Sequence, residues 1–155
     1  MGFIIQVIGA YVATITAAIT VEAPKSLIFK TGVPGAVGYI VYLLALDSFG
    51  AVLATLFASL IIAILGQASA RYYKAPVTIF YIPAFFPLVP GSAMYHTAFH
   101  FINNDADKAA MSFVQAILTA GAIALGIYLV DSFLEIYTYL QHKIKAKKSG
   151  EAQNK

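Results

Sequence analysis

The sequence predicts an all-α, polytopic membrane protein. It has five transmembrane helices, the fourth of them broken, with the N-terminus outside and the C-terminus cytoplasmic. Three observations predict this. Of the 155 residues, 60% are hydrophobic and only 11% charged, against roughly 25% charged in an ordinary soluble domain. The mean hydropathy is +0.79. The few charges fall between long uncharged runs, and the basic ones gather on alternate connections, as the positive-inside rule requires. Too few charges are present to cover the surface of a soluble globule. A disordered chain and a nucleic-acid reader are excluded on the same ground, so no nucleic-acid partner is expected. The net charge of +3 needs only lysines in cytoplasmic loops. With no cysteine in the chain, a disulfide, a thiolate metal site and a cysteine nucleophile are all excluded.

The runs give spans at about 2–21, 32–46, 49–70, 76–102 and 109–130, followed by a polar tail over 131–155. About 20 apolar residues cross a bilayer core, so the second run is short and the others suffice. If each run crosses once, one side receives Lys25 and Lys30, Arg71 and Lys74, and the C-terminal lysines. The other receives Asp47, Asp105 and Asp107, with Lys108 as its one basic residue. Adding or removing a middle span would scatter the basic residues over both faces. The first run lacks a positively charged n-region and is too long for a signal-peptide core, so it is read as a retained span. The expected location is the cell membrane, multi-pass, with the lipid bilayer as the surrounding partner. Trp is absent, so Tyr72, Tyr73, Tyr137 and Tyr139 are expected to supply the interfacial aromatic belt.

Spans in lipid associate through small residues that let backbones approach. Gly9, Ala13 and Ala17, then Gly50, Ala54 and Ala58, then Ala116, Ala120 and Ala124 each form a four-residue repeat on one helix face. The second span should open at Gly32-Val33-Pro34-Gly35, since proline is well tolerated at a helix start. The tail from Asp131 should continue as an amphipathic helix, apolar at Leu134, Ile136, Tyr137, Leu140 and Ile144. Lysines 143, 145, 147 and 148 suit it to a membrane surface rich in anionic headgroups.

The fourth run carries the chemistry. Pro83, Pro87 and Pro90, followed by Gly91, break the helix rather than kink it. Counted from Ala75 at the cytoplasmic edge, Pro90 lies about 15 residues in, near the bilayer centre. Backbone freed there must be buried in protein or line a wet cavity. A second half-helix would start at Gly91-Ser92, with Ser92 as N-cap. Its free N–H groups and dipole then suit a carboxylate, the device by which secondary transporters hold anionic groups. Substrate-binding candidates are therefore Pro87, Pro90, Gly91, Ser92, Ala93 and Tyr95. His96 and His100, one turn apart, are candidates for proton coupling, because ionisable groups inside a membrane are costly and default to function. No metal and no other cofactor is expected, since only Asp105 and Asp107 accompany the histidines. Ser92 and His96 also sit one turn apart, but no buried carboxylate or oxyanion-hole motif accompanies them, so a hydrolase is not expected.

The segment Pro87-Leu88-Val89-Pro90-Gly91, with small residues and Tyr95 after it, resembles the Pro-x-x-Pro-Gly signature of the threonine/serine exporter (ThrE) family. The chain looks like that family's short, C-terminal-half subunit. Arg71-Tyr72-Tyr73-Lys74-Ala75-Pro76 and Phe29-Lys30-Thr31-Gly32-Val33-Pro34 are similar to its loops before the fourth and second spans. The resemblance covers roughly Val21 to Val130. It implies export of small amino acids or similar small carboxylates, coupled to the proton gradient. It also implies a second five-span subunit, since single-chain members carry both halves in ten spans. The alternative is a non-transporting membrane scaffold or assembly subunit, in which the break only shapes the bundle.

Overall fold

The computed structural model describes residues 2–153, with side chains as far as Gln141 and at Lys143. The described residues form helices and no strand. α1 spans Gly2–Thr20, α2 Ile28–Tyr73, α3 Thr78–Phe85, α4 Gly91–Ile102 and α5 Ala106–Gln153. A 3-10 turn, Phe86–Leu88, lies between α3 and α4. By length and composition, α1, α2 and α5 can each cross a membrane, and the bent pair α3 and α4 adds a fourth candidate.

α2 departs most from the sequence reading. Its 46 residues would reach about 69 Å if straight, twice the roughly 30 Å core of a bilayer. It is not straight. Gly50, with φ 75° and ψ 170°, interrupts it. A Cβ built on Gly38 would collide with the Ile62 side chain, although straight-helix geometry would put these residues about 36 Å apart. At the far end, the Lys30 ammonium lies 4.3 Å from the centre of the Tyr73 ring. The two halves of α2 therefore lie side by side and antiparallel, turning at Gly50. The connection expected around Asp47 lies three residues further on: Asp47 is helical and the turn is at Gly50. Gly50 is exposed, so it is a backbone hinge rather than part of a packing stripe.

The start of α2 also differs. The helix begins at Ile28, so Pro34 is an interior proline, fully buried. α1 packs over this stretch. Tyr11 lies against Gly32, Thr14 lies against Gly35, and the Tyr11 hydroxyl donates to the Phe29 carbonyl at 3.1 Å. The buried face of α1 is Ala10, Thr14, Ala17 and Ala18, one position round from the expected repeat, and Gly9 is exposed. Thr14 turns its hydroxyl onto Ala10 O at 2.8 Å, which lets a polar residue sit in an apolar seam.

On α5 the buried positions are Ala109, Ala116, Thr119, Ala122, Gly126 and Val130. Ala120 and Ala124 face outward, so of the expected stripe only Ala116 packs. Gly126 sits against Ser59 and Leu60 of α2. The stretch from Ile127 to Ser149 contains neither Gly nor Pro, and α5 runs through Asp131 uninterrupted. The tail is thus continuous with the preceding helix. Leu134 is half-buried, and Ile136, Tyr137 and Leu140 are exposed. The side chains of Ile144, Lys145, Lys147 and Lys148 lie outside the described residues. The core joins Ala58, Ile62 and Ala63 of α2 to Tyr81, Ala84 and Phe85 of α3 and Val130 of α5. Between α4 and α5, the Lys108 ammonium donates to Asp105 at 2.7 Å, and this bond holds the Asp105 carboxyl below its ordinary range.

Candidate binding site at the broken helix

Three features of the fourth run end its first helix. Pro83 is buried inside α3, Pro87 falls in the 3-10 turn, and Val89 with ψ 132° leaves the helical region. α4 then starts at an angle of 46° to the segment before the break. Its N-cap is Pro90, with no side-chain cap, so Ser92 lies inside the first turn rather than capping it. Gly91 N–H donates to Val89 O at 2.7 Å and Met94 N–H to Pro90 O at 3.1 Å. Between them, the N–H groups of Ser92 and Ala93 have no partner among the described residues, because the carbonyls one turn back belong to the broken segment.

These two residues border a cavity of about 200 Å³. Pro87, Leu88, Val89 and Pro90 form the adjoining wall; Tyr39, Tyr42, Ala51 and Thr55 of α2 and Gln115 and Thr119 of α5 complete it. The Tyr39 and Tyr42 rings stack at 5.5 Å. The hydroxyls of Thr55 and Thr119 donate to Ala51 O and Gln115 O, both at 2.8 Å. Their protons are engaged, so each oxygen is left as an acceptor. No lining residue carries a charge. Donors are the two N–H groups, the Ser92 hydroxyl, the Gln115 amide and the tyrosine hydroxyls; acceptors are the threonine oxygens and Gln115 Oε1. The volume is below the roughly 300–1,000 Å³ typical of pockets for drug-sized ligands.

Of the residues singled out from sequence, Pro87, Pro90, Ser92 and Ala93 line this cavity. Gly91, Tyr95, His96 and His100 do not. Gly91 is exposed, and a Cβ there would meet nothing within 4 Å. Tyr95 stacks on Phe99 at 6.1 Å and His96 on His100 at 6.1 Å, on a helix with no buried residue.

The family model described as threonine/serine exporter, ThrE, matches residues 6–133, a stretch that contains every residue lining the cavity. The chain belongs to the threonine/serine exporter family. No curated protein and no solved structure matches it. Membership makes this a membrane transport protein of a family of transporters rather than enzymes, with a small amino acid as the class of solute. In this exporter-family chain, sequence reasoning missed Tyr39, Tyr42, Thr55, Gln115 and Thr119. One signal was available for Gln115: it is the sole amide side chain in the fifth uncharged run, and polar groups at such positions default to function.

Proposed function

We propose that the chain is a subunit of a secondary-active, proton-coupled exporter of small zwitterionic amino acids of the threonine/serine type, working with a second five-span subunit in the cell membrane. The observation that carries the solute assignment is a small cavity that is polar but uncharged, with unpaired N–H groups of a broken helix on its wall. A carboxylate suits the Ser92 and Ala93 N–H groups and the dipole end of α4. An ammonium suits the threonine and tyrosine oxygens. A net charge in an uncharged pocket carries a large desolvation cost, which favours a zwitterion over a dicarboxylate. Pro87, Pro90 and Gly91 shape the break and permit the approach. Tyr95, His96 and His100, further along α4, tune selectivity and pass protons on the outer side.

Five crossings account for α1, the two antiparallel halves of α2, the bent pair and α5, with the N-terminus outside. A partner subunit is supported by how little of α4 this chain covers and by the thinness of five spans for an alternating-access carrier.

Export from cells lacking the chain, complemented with wild type or variants, tests the solute site. Ala93→Leu is expected to cut threonine export more than tenfold at normal membrane levels, by filling the cavity. Ser92→Ala should cost only about two- to fivefold, because the backbone donors remain. Binding of threonine should exceed that of threonine amide at least tenfold. Equal affinity for the amide would remove the carboxylate site, and full export by Ala93→Leu would remove the cavity from the pathway.

A further inference from the structure

Asp131 sits where the sequence places the start of the tail, yet it belongs to the bundle. It is half-buried, and its Oδ1 accepts from the Tyr81 hydroxyl of α3 at 2.7 Å and from the Gln67 amide of α2 at 2.8 Å. One carboxylate oxygen thus ties three elements together. Both donors are neutral. Lys108–Asp105 is the one ion pair among the described residues, so no cation of theirs neutralises Asp131 at contact distance. The charged and titratable groups around it are few. α2 contributes Arg71, one turn past Gln67, and α2 also sets Tyr39 and Tyr42 against the cluster holding Tyr81 and Val130. α3 contributes Tyr81 alone, and α5 the exposed Tyr128 and Glu135. The second oxygen, Oδ2, receives no bond from a described residue, and no buried side-chain oxygen among them lacks a partner, so Oδ2 is accessible from outside the packed interior.

We propose that Asp131, held by Tyr81 and Gln67, is a proton-carrying site of the export cycle and fastens the first half of the broken helix on the cytoplasmic side. Ionised, the carboxylate accepts two charge-assisted bonds and holds α3 against α2 and α5. A proton that has entered from the outer side adds at Oδ2. The resulting acid keeps Oδ1 only as a neutral carbonyl acceptor, and the tie weakens. Release of that proton to cytoplasmic water restores it. Because α3 leads through the 3-10 turn into the cavity wall at Pro87–Pro90, the state of Asp131 bears on a site far earlier in the chain. The inference rests on the exporter reading above and supplies the cytoplasmic counterpart to the histidines on α4.

The test uses cells of the chain's own source, deleted for it and complemented with variants, so that any native partner subunit is present. Two readouts are taken: exchange of labelled threonine, and threonine-driven collapse of a pH gradient in everted membrane vesicles. Asp131→Asn should keep exchange within about threefold of wild type and lose proton movement more than tenfold, while Asp131→Glu keeps both. Wild-type-like proton movement in Asp131→Asn would overturn the inference and leave the exporter reading standing. Equal loss of exchange and proton movement at normal protein levels would overturn it too, by making Asp131 structural. If wild type itself exchanges no threonine, the exporter reading fails and this inference with it. Should Asp131→Asn not accumulate, Tyr81→Phe and Gln67→Leu decide. Each removes a donor to the carboxylate and should lower proton movement at least threefold more than exchange; equal effects on the two readouts overturn the assignment.

Discussion

Gly50 carries the sharpest backbone demand among the described residues. Its φ of 75° and ψ of 170° belong to a region open essentially to glycine alone. A Cβ built there meets nothing within 4 Å, so any cost of substitution comes from the backbone and not from crowding. Gly121 offers the matched comparison: its Cβ is equally unobstructed, but it lies inside regular helix. Gly50→Ala is expected to destabilise the protein by about 1–3 kcal/mol. Gly121→Ala should be neutral or stabilising by up to about 1 kcal/mol, through helix propensity. Unfolding in detergent under identical conditions measures both. Equal effects of the two substitutions would remove the hinge from Gly50. Threonines show the opposite economy: Thr14, Thr55 and Thr119 return their hydroxyl protons to the preceding turn, which lets polar side chains stand in apolar seams.

At the scale of elements, helices meet where a side chain is missing. Gly126 lets α5 approach α2 until an added Cβ would lie 3.2 Å from the Leu60 amide nitrogen. That neighbour is backbone and cannot swing away. Gly126→Leu should therefore cost about 1–3 kcal/mol by overpacking, or push the two helices apart. The Gln67–Asp131 bond, which joins the same two helices one turn further along α5, would lengthen with them. Unfolding in detergent measures the first effect, and a spin-label distance between α2 and α5 the second. A Gly126→Leu protein with wild-type stability and spacing would show that the two helices do not meet there. The broken helix follows the same logic in reverse. Its prolines remove donors instead of bulk, and the unpaired N–H groups at Ser92 and Ala93 are what the break leaves behind.

At the scale of the whole molecule, the ends of the α2 hairpin sit together, with Lys30 over Tyr73. Two of the basic connections that the positive-inside rule assigns to one face are thus neighbours, and the Gly50 turn, beside Asp47, is at the other end. Cysteines placed one at a time in this cysteine-free chain test the orientation. An impermeant reagent on intact cells should label Asp47→Cys and Asp107→Cys. Lys30→Cys, Arg71→Cys and Lys147→Cys should react only after permeabilisation. Labelling at Lys30 or Arg71 in intact cells would overturn the five-crossing arrangement.

The sequence by itself determined what depends on local chemistry: an apolar chain with few charges set between long uncharged runs, and a fourth run that proline must break near Pro87–Gly91. Those effects act within a few residues, since a proline removes its own N–H and a charge resists burial wherever it stands. Helix boundaries were less legible. Asp47 looked like a connection, because an isolated charge resembles a loop, yet a helix can carry one charge at its exposed end and turn at the next glycine. Small-residue repeats located the packing helices and caught the packing face in part: Ala17, Ala54, Ala58 and Ala116 are buried, while Gly9, Gly50, Ala120 and Ala124 are exposed, because helix rotation is set by the neighbours a helix meets. Only the tertiary structure decided the cavity and the Asp131 tie. Tyr39, Thr55, Gln115 and Thr119 come together across helices far apart in sequence, and Asp131 gains its partners from Gln67 and Tyr81, more than 40 residues away. Such sites exist through packing alone, and a linear pattern carries no record of which faces will meet.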